Sequence, residues 1–234
     1  MTARSHALLF LLLGVTPLAA QDLEDLCAGA GRLAVGQWAA YRVDGFGGVR
    51  VDTRYAIVGR ESVEGEEPVE GQEPVEGQEP VESEDQYWLE LELPGGMMMQ
   101  MLIPSYPFPP ESVRRVVAKI GDGPAMEYPE EMAVSMGRQG QNLSEPLLKA
   151  CNESETVGWE TVTVPAGTFH ALRVKAILAG GDEKDIWLSK DVPFGIIRMT
   201  EEPEGKGLVL LDHGTDATSS ITETPQKMGE PGPG

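Results

Sequence analysis

Apolar and polar residues alternate along most of this chain. In VRVDTRYAIVG (Val49–Gly59), Val49, Val51, Thr53, Tyr55 and Ile57 share one face, and Arg50, Asp52 and Arg54 share the other. QYWLELEL (Gln86–Leu93) repeats the pattern, with Tyr87, Leu89, Leu91 and Leu93 opposed to Trp88, Glu90 and Glu92. Period two with β-branched and aromatic residues predicts half-buried strands. Further strands are predicted at GQWAAYRVDG, MMMQMLIP, VRRVVAKIG, ETVTVP, FHALRVKAIL, KDIWLSKD, GIIRMTEE and GLVLLDHG. Turn signals separate them, among them Pro94-Gly95-Gly96, Pro165-Ala166-Gly167, Gly180-Gly181-Asp182 and Pro193-Phe194-Gly195. Helix is expected only at Pro129–Gly137 and Glu145–Cys151, with Pro129 and Pro146 in first turns and Ser144 as a cap. About ten short strands in sequence-adjacent order define a mainly β fold: a single large curved antiparallel sheet, or a half-open β-barrel, with a short helical cover.

The ends depart from the alternation. Arg4, the apolar run Ala7–Val15 and the small residues of Pro17-Leu18-Ala19-Ala20 have the layout of an export signal over residues 1–20. That run is far short of the roughly 20 apolar residues that span a bilayer, and no later stretch approaches the length. The expected product is an exported chain, periplasmic or secreted, with no transmembrane segment. Its half-barrel domain is expected over residues 21–214, followed by a polar, disordered tail at 215–234. Cys27 follows Glu24-Asp25-Leu26, which is not the small, apolar context of a lipidation site.

Between the strands that end at Gly59 and begin at Gln86 lies VEGEEPVEGQEPVEGQEPVESED, an acidic hexamer repeated in tandem. The net charge of the chain is -20, and eleven acidic residues with no basic one fall between Glu61 and Asp85. Regular proline removes backbone donors, regular glycine raises the entropy lost on ordering, and one valine per repeat is too little to bury. Residues 61–85 are therefore expected as a disordered insertion in a hairpin loop, which loop-closure entropy tolerates. A weak cation- or partner-binding arm is the alternative. Binding to nucleic acid is disfavoured by the charge.

Cys27 and Cys151 are the two cysteines. In an oxidising compartment they predict one disulfide. Two buried free thiols are the alternative, and neither cysteine has the C-x-x-C spacing of a metal site.

VTVPAGTFHALRVK followed by DIWLSKDVPFGIIRM resembles paired segments of uncharacterised exported bacterial proteins, in which a strand, a P-A-G-T-F turn and a second strand precede a W-L-S strand and a V-P-x-G turn. That group is similar in fold to the lipoprotein carriers LolA and LolB, whose half-barrel holds acyl chains. The resemblance covers Glu160–Glu201 and consists of turns and core positions, so it transfers no catalytic group.

Candidate chemistry is sparse. His170 shares the strand phase of Leu172 and Val174 and is expected to face inward, with no second ligand at metal spacing. Asp212 and His213 are adjacent and fall on opposite faces of a strand. Ser135 lacks a nucleophile-elbow context. Glu90 and Glu92 form a carboxylate pair whose expected place is a solvated sheet face. Met97, Met98, Met99 and Met101 invite a copper(I) reading, because thioethers are soft ligands, but alternation sets Met98 on the opposite face from the others. Methionine also lines adaptable apolar surfaces. Met97, Met99, Met101, Leu89, Leu91, Leu172 and Val174 are therefore the candidate lining of a concave apolar site.

The expected activity is non-enzymatic: binding of an acyl chain, another lipid or a hydrophobic protein segment on the concave face, with no cofactor. The alternative is a structural or interaction module of the cell envelope, with a filled core and an envelope protein as partner. An enzyme or a copper-binding protein is the third reading. An open apolar groove points to the first, a close-packed interior to the second, and a polar cleft gathering His170 with carboxylates to the third.

Overall fold

The computed structural model describes residues 18–44, 49–63, 84–178, 181–201 and 206–229. Its strands are β1 (Trp38–Asp44), β2 (Arg50–Val63), β3 (Glu84–Leu93), β4 (Met97–Ile103), β5 (Arg115–Ile120), β6 (Met126–Glu127), β7 (Glu155–Val164), β8 (Gly167–Ile177), β9 (Glu183–Leu188), β10 (Ile196–Glu201), β11 (Lys206–Gly214) and β12 (Gln226–Lys227). All twelve form one open, curled sheet in the order β12-β6-β5-β4-β3-β2-β1-β11-β10-β9-β8-β7. Two antiparallel meanders, β1–β6 and β7–β11, join where β1 pairs with β11. The pairing of β12 with β6 is parallel.

Curvature has a local origin. Register shifts occur between Ala40 and Tyr41, Ile57 and Gly59, Thr156 and Gly158, and Ile196 and Arg198. Such bulges bend a strand and increase its twist. The sheet curls until the β7–β8 turn meets β11, where Ala166 donates its amide to the Leu210 carbonyl at 3.4 Å.

Alternation placed the inner face correctly. Tyr55, Ile57, Leu89, Leu91, Met99 and Met101 are fully buried on it. At its centre Tyr41 and Phe194 flank Tyr55 edge-on, and Phe194 also packs against Tyr106 at 5.0 Å between ring centroids. Three helices cover this face: α1 (Leu18–Ala30), α2 (Glu130–Gly137) and α3 (Gln141–Glu153). Helix α1 buries Leu26 and Ala30, α2 buries Ala133 and Gly137, and α3 buries Leu143, Leu147 and Ala150. The disulfide Cys27–Cys151 joins α1 to α3, as the cysteine count predicts.

Four details differ from the sequence reading. Helix α1 begins at Leu18 and was not expected; of the proposed export signal, residues 1–17 lie outside the described part. Helix α3 starts at Gln141, not near Glu145, so Pro146 sits inside it. A proline there forfeits a single backbone bond close to the helix start, which tertiary packing offsets. Ser144 is then no cap: its fully buried Oγ accepts the Phe108 amide at 2.6 Å, and its hydroxyl lies 2.7 Å from the Phe108 carbonyl. The hairpin around the acidic repeat is longer than expected, since β2 runs to Val63 and β3 starts at Glu84, which makes Glu61, Ser62 and Asp85 strand residues. Residues 64–83 lie outside the described part. Finally, residues 215–229, expected as disordered tail, cross the outer sheet face and end in β12. Their burial of Ala217 and Ile221 supplies the apolar contacts that composition alone does not advertise.

The buried phenols make the fold sensitive to alkali. Burial pushes the Tyr41, Tyr55 and Tyr106 hydroxyls above their ordinary value, and neighbouring phenols push Tyr41 and Tyr106 further. A raised folded value means the stabilising contribution is complete below the unfolded phenol's pKa of about 10 and is lost as pH rises toward the folded values. Stability to urea is therefore expected to fall above about pH 10, with these three phenols ionising only as the chain unfolds. A folded protein whose five tyrosines all ionise near pH 10 contradicts this.

Candidate functional site

The residues singled out as a ligand lining do come together on the concave face. Their exposure decides what that face can do. Leu89, Leu91, Met99, Met101, Leu172 and Val174 are each 0% exposed, and Met97 is half-buried at the strand end. Cross-strand pairs Leu89–Met101 and Leu91–Met99 knit β3 to β4. The 3-10 turn Arg138–Gly140 packs onto Met101 so closely that a Cβ on Gly140 would lie 2.5 Å from the Met101 methyl and 3.0 Å from Phe108. Among the described residues, these six side chains have no contact with solvent. The predicted lining is the protein's own core.

The copper(I) arrangement is not formed. Met99 and Met101 are core residues, while Met98 packs on the outer face beside Trp88 in a second, small cluster with Val117, Ala125 and Ile221. Among the described residues no group of three or more His, Cys, Asp or Glu side chains could hold a metal ion. His170, expected to face the interior, is exposed and stacks on Trp159 with ring centroids 4.8 Å apart, while the Trp159 indole N–H donates to Asp22 of α1 at 2.9 Å. His213 packs against Phe169 at 5.9 Å. Ser135 is exposed on α2. The two carboxylates of β3 part company: Glu92 is exposed, but Glu90, expected on a solvated face, is 1% exposed. Residues 215–229 cover it.

Two surface cavities stand out among the described residues. One, of about 440 Å³, lies between the Pro109–Pro110 turn and α3; Pro109, Pro110 and Leu148 supply apolar lining, and Glu111, Arg138, Glu145 and Lys149 surround it with charges of both signs. It was missed because Leu148 is half-exposed on a helix whose other apolar residues are core, and periodicity alone does not separate the two roles. The other, of about 370 Å³, is polar and holds Arg42, Arg50 and Arg198. Its guanidiniums are engaged. Arg42 grips Asp52 through two bonds of 2.8 and 2.9 Å, Arg50 reaches Asp44 at 3.3 Å, and Arg198 lies over the Trp187 ring.

The outer face also carries a polar array built around its tryptophans. Arg54 caps Trp38 and Arg115 caps Trp88, while the two indole N–H groups donate to Asp216 and Glu61. Trp187 donates to Glu160. Among the described residues no helix is long and apolar enough to cross a membrane.

The class defined by these features is a single-sheet half-barrel with a filled, helix-covered interior. Comparison with solved structures finds likenesses of low identity. An uncharacterized conserved protein from Thermus thermophilus aligns at a TM-score of 0.42 and 13% identity, over 89% of this chain and 95% of that one. MucB, solved in complex with MucA(peri), aligns at 0.40 and 11% identity, over 86% of this chain and 57% of that one. No curated protein matches the sequence. One family profile, cementoin, described as the trappin protein transglutaminase binding domain, matches residues 57–83. That span is chiefly the acidic repeat, and it does not assign the 234-residue chain to a family.

If the concave face is core, truncating it must damage stability. Leu91→Ala is expected to cost about 2–5 kcal/mol in urea unfolding, the range for a fully buried leucine. A loss under about 0.5 kcal/mol would show the site to be loosely filled.

Proposed function

We propose that the protein is an exported, non-catalytic interaction module of the cell envelope, which makes its contacts on outer surfaces. One observation carries the choice over an acyl-chain carrier: six of the seven side chains that would line a concave ligand site are fully buried in the core. Export is supported by the pattern of residues 1–20 and by the disulfide, which needs an oxidising compartment to persist. The groove beside α3 is the proposed contact surface, since it offers an apolar lining with a rim of mixed charge. A protein segment placing one apolar side chain against Leu148 and polar groups outside it fits that anatomy.

A second reading, a carrier that opens, has one observation in its favour. Helix α2 buries Ala133 and Gly137, packs Met136 partly against the core, and leaves Met132 and Val134 at 39% and 38% exposure. The disulfide restrains α1 and α3 but not α2.

A photo-crosslinking residue at position 111, on the rim of the groove, introduced in the native host, separates the readings. The module reading expects a discrete protein adduct there, lost with Leu148→Asp beside it as control, and no binding of a fatty-acid probe at tens of micromolar, which excludes a dissociation constant near 1 μM (about 8 kcal/mol). Stoichiometric probe binding without an adduct would favour the carrier.

A further inference from the structure

One cross-strand row of the outer face is lined up under residues 215–229. Trp38 pairs with Ala56, Ala56 with Glu90, Glu90 with Gln100, Gln100 with Val117, and Val117 with Glu127. The segment follows this row station by station. Asp216 accepts the Trp38 indole N–H at 2.8 Å, and Ala217 donates to the Gly36 carbonyl at 2.8 Å. The Gln100 amide donates to Ser219 Oγ at 2.7 Å, and the Ser220 amide donates to Glu90 Oε2 at 2.9 Å. Ile221 then drops among Val117, Ala125, Trp88 and Met98. Lys119 pairs with Glu223, Gln226 donates to the Ala125 carbonyl, and Met228 donates to the Glu127 carbonyl. The path is built for a chain. A Cβ on Gly36 would lie 2.5 Å from the Thr215 carbonyl, and one on Gly214 would lie 2.7 Å from the Trp38 indole nitrogen.

The fit has one flaw, and it lies at the centre. Glu90 is 1% exposed; Gln100 Nε2 and the Ser220 amide both serve its Oε2, while Oε1 is buried without a hydrogen-bond partner. A buried carboxylate oxygen left unpaired is costly, and the penalty falls if a donor or cation reaches it. The segment's apolar hold is also slight, since Ala217 and Ile221 are its buried hydrophobic residues.

We propose that this row is a peptide-recognition site, held in the resting chain by residues 215–229 as a displaceable occupant, and that its ligand is an extended segment of a basic partner protein. The ligand carries a lysine or arginine opposite Glu90 and a β-branched aliphatic residue in the Ile221 position. The cation satisfies Oε1, and the chain's net charge of -20 draws a basic partner in. The proposal goes beyond the α3 groove, uses none of its residues, and can fail while the groove assignment stands.

The test uses the full-length chain and a fluorescent peptide copying residues 215–228, unaltered or with Ser219→Lys. A tethered segment competes at an effective concentration in the millimolar range, so Ile221→Asp is introduced in the chain to loosen it. Binding of the unaltered peptide is expected to tighten about tenfold in the loosened chain, the Ser219→Lys peptide to gain about tenfold more, and Glu90→Gln to remove the second gain only. A loosened chain that is folded by circular dichroism but binds neither peptide overturns the proposal, as does a lysine gain that survives Glu90→Gln. Should Ile221→Asp not fold, hydrogen exchange on the unaltered protein decides. Amides of Ala217, Ser220, Ile221, Gln226 and Met228 exchanging well ahead of those in β3–β5 supports displacement. Exchange only together with those strands overturns it, because a segment that leaves solely on unfolding gives way to no ligand.

Discussion

Every strand of a curled sheet must send alternate side chains into the space it encloses, and in this protein that space is full. Tyr55, Leu91, Met101 and Leu172 come from four different strands and are all sealed from solvent. The rest of the architecture follows. Three helices are needed because an open single sheet cannot cover its own inner face. The disulfide pins two helices of that cover, α1 and α3, together, and Gly140 lets a turn of backbone settle directly on Met101. The interior is thus spent on stability.

The outside is not a featureless solvated surface. Its tryptophans are capped by arginines and bonded through their indole N–H groups to carboxylates. A buried glutamate lies beneath residues 215–229. Such polar networks specify geometry when complete, and an unpaired group inside one is costly. Among the described residues the network is incomplete at Glu90 Oε1, and Gln86 Oε1 and Thr200 Oγ1 are likewise buried without a partner.

The period-two pattern made strand phase and inner-face membership legible before any coordinates. Leu89 and Leu91 were correctly set opposite Glu90 and Glu92, and the cysteine pair was read correctly. What alternation does not reveal is whether an apolar face is lined by ligand or by the chain itself, because both demand the same residues. The methionines of β4 are a case in point: the same side chains suit an adaptable pocket and a core filled from above. Glu90 was misread for a related reason. Strand phase gives the face of a residue but not what lies over that face, and the cover comes from a polar segment more than a hundred residues later whose hold depends on single contacts such as Ile221. Helix α3 was misplaced because Pro146 signals a helix start and tertiary packing overrode that signal.

The central claim is that the interior belongs to the protein and not to a ligand. Native mass spectrometry of the protein purified from its native host tests it most directly. The account predicts a single species at the mass of the disulfide-bonded chain, with no lipid retained. A co-purifying acyl lipid at one per chain, lost only on denaturation, would contradict it.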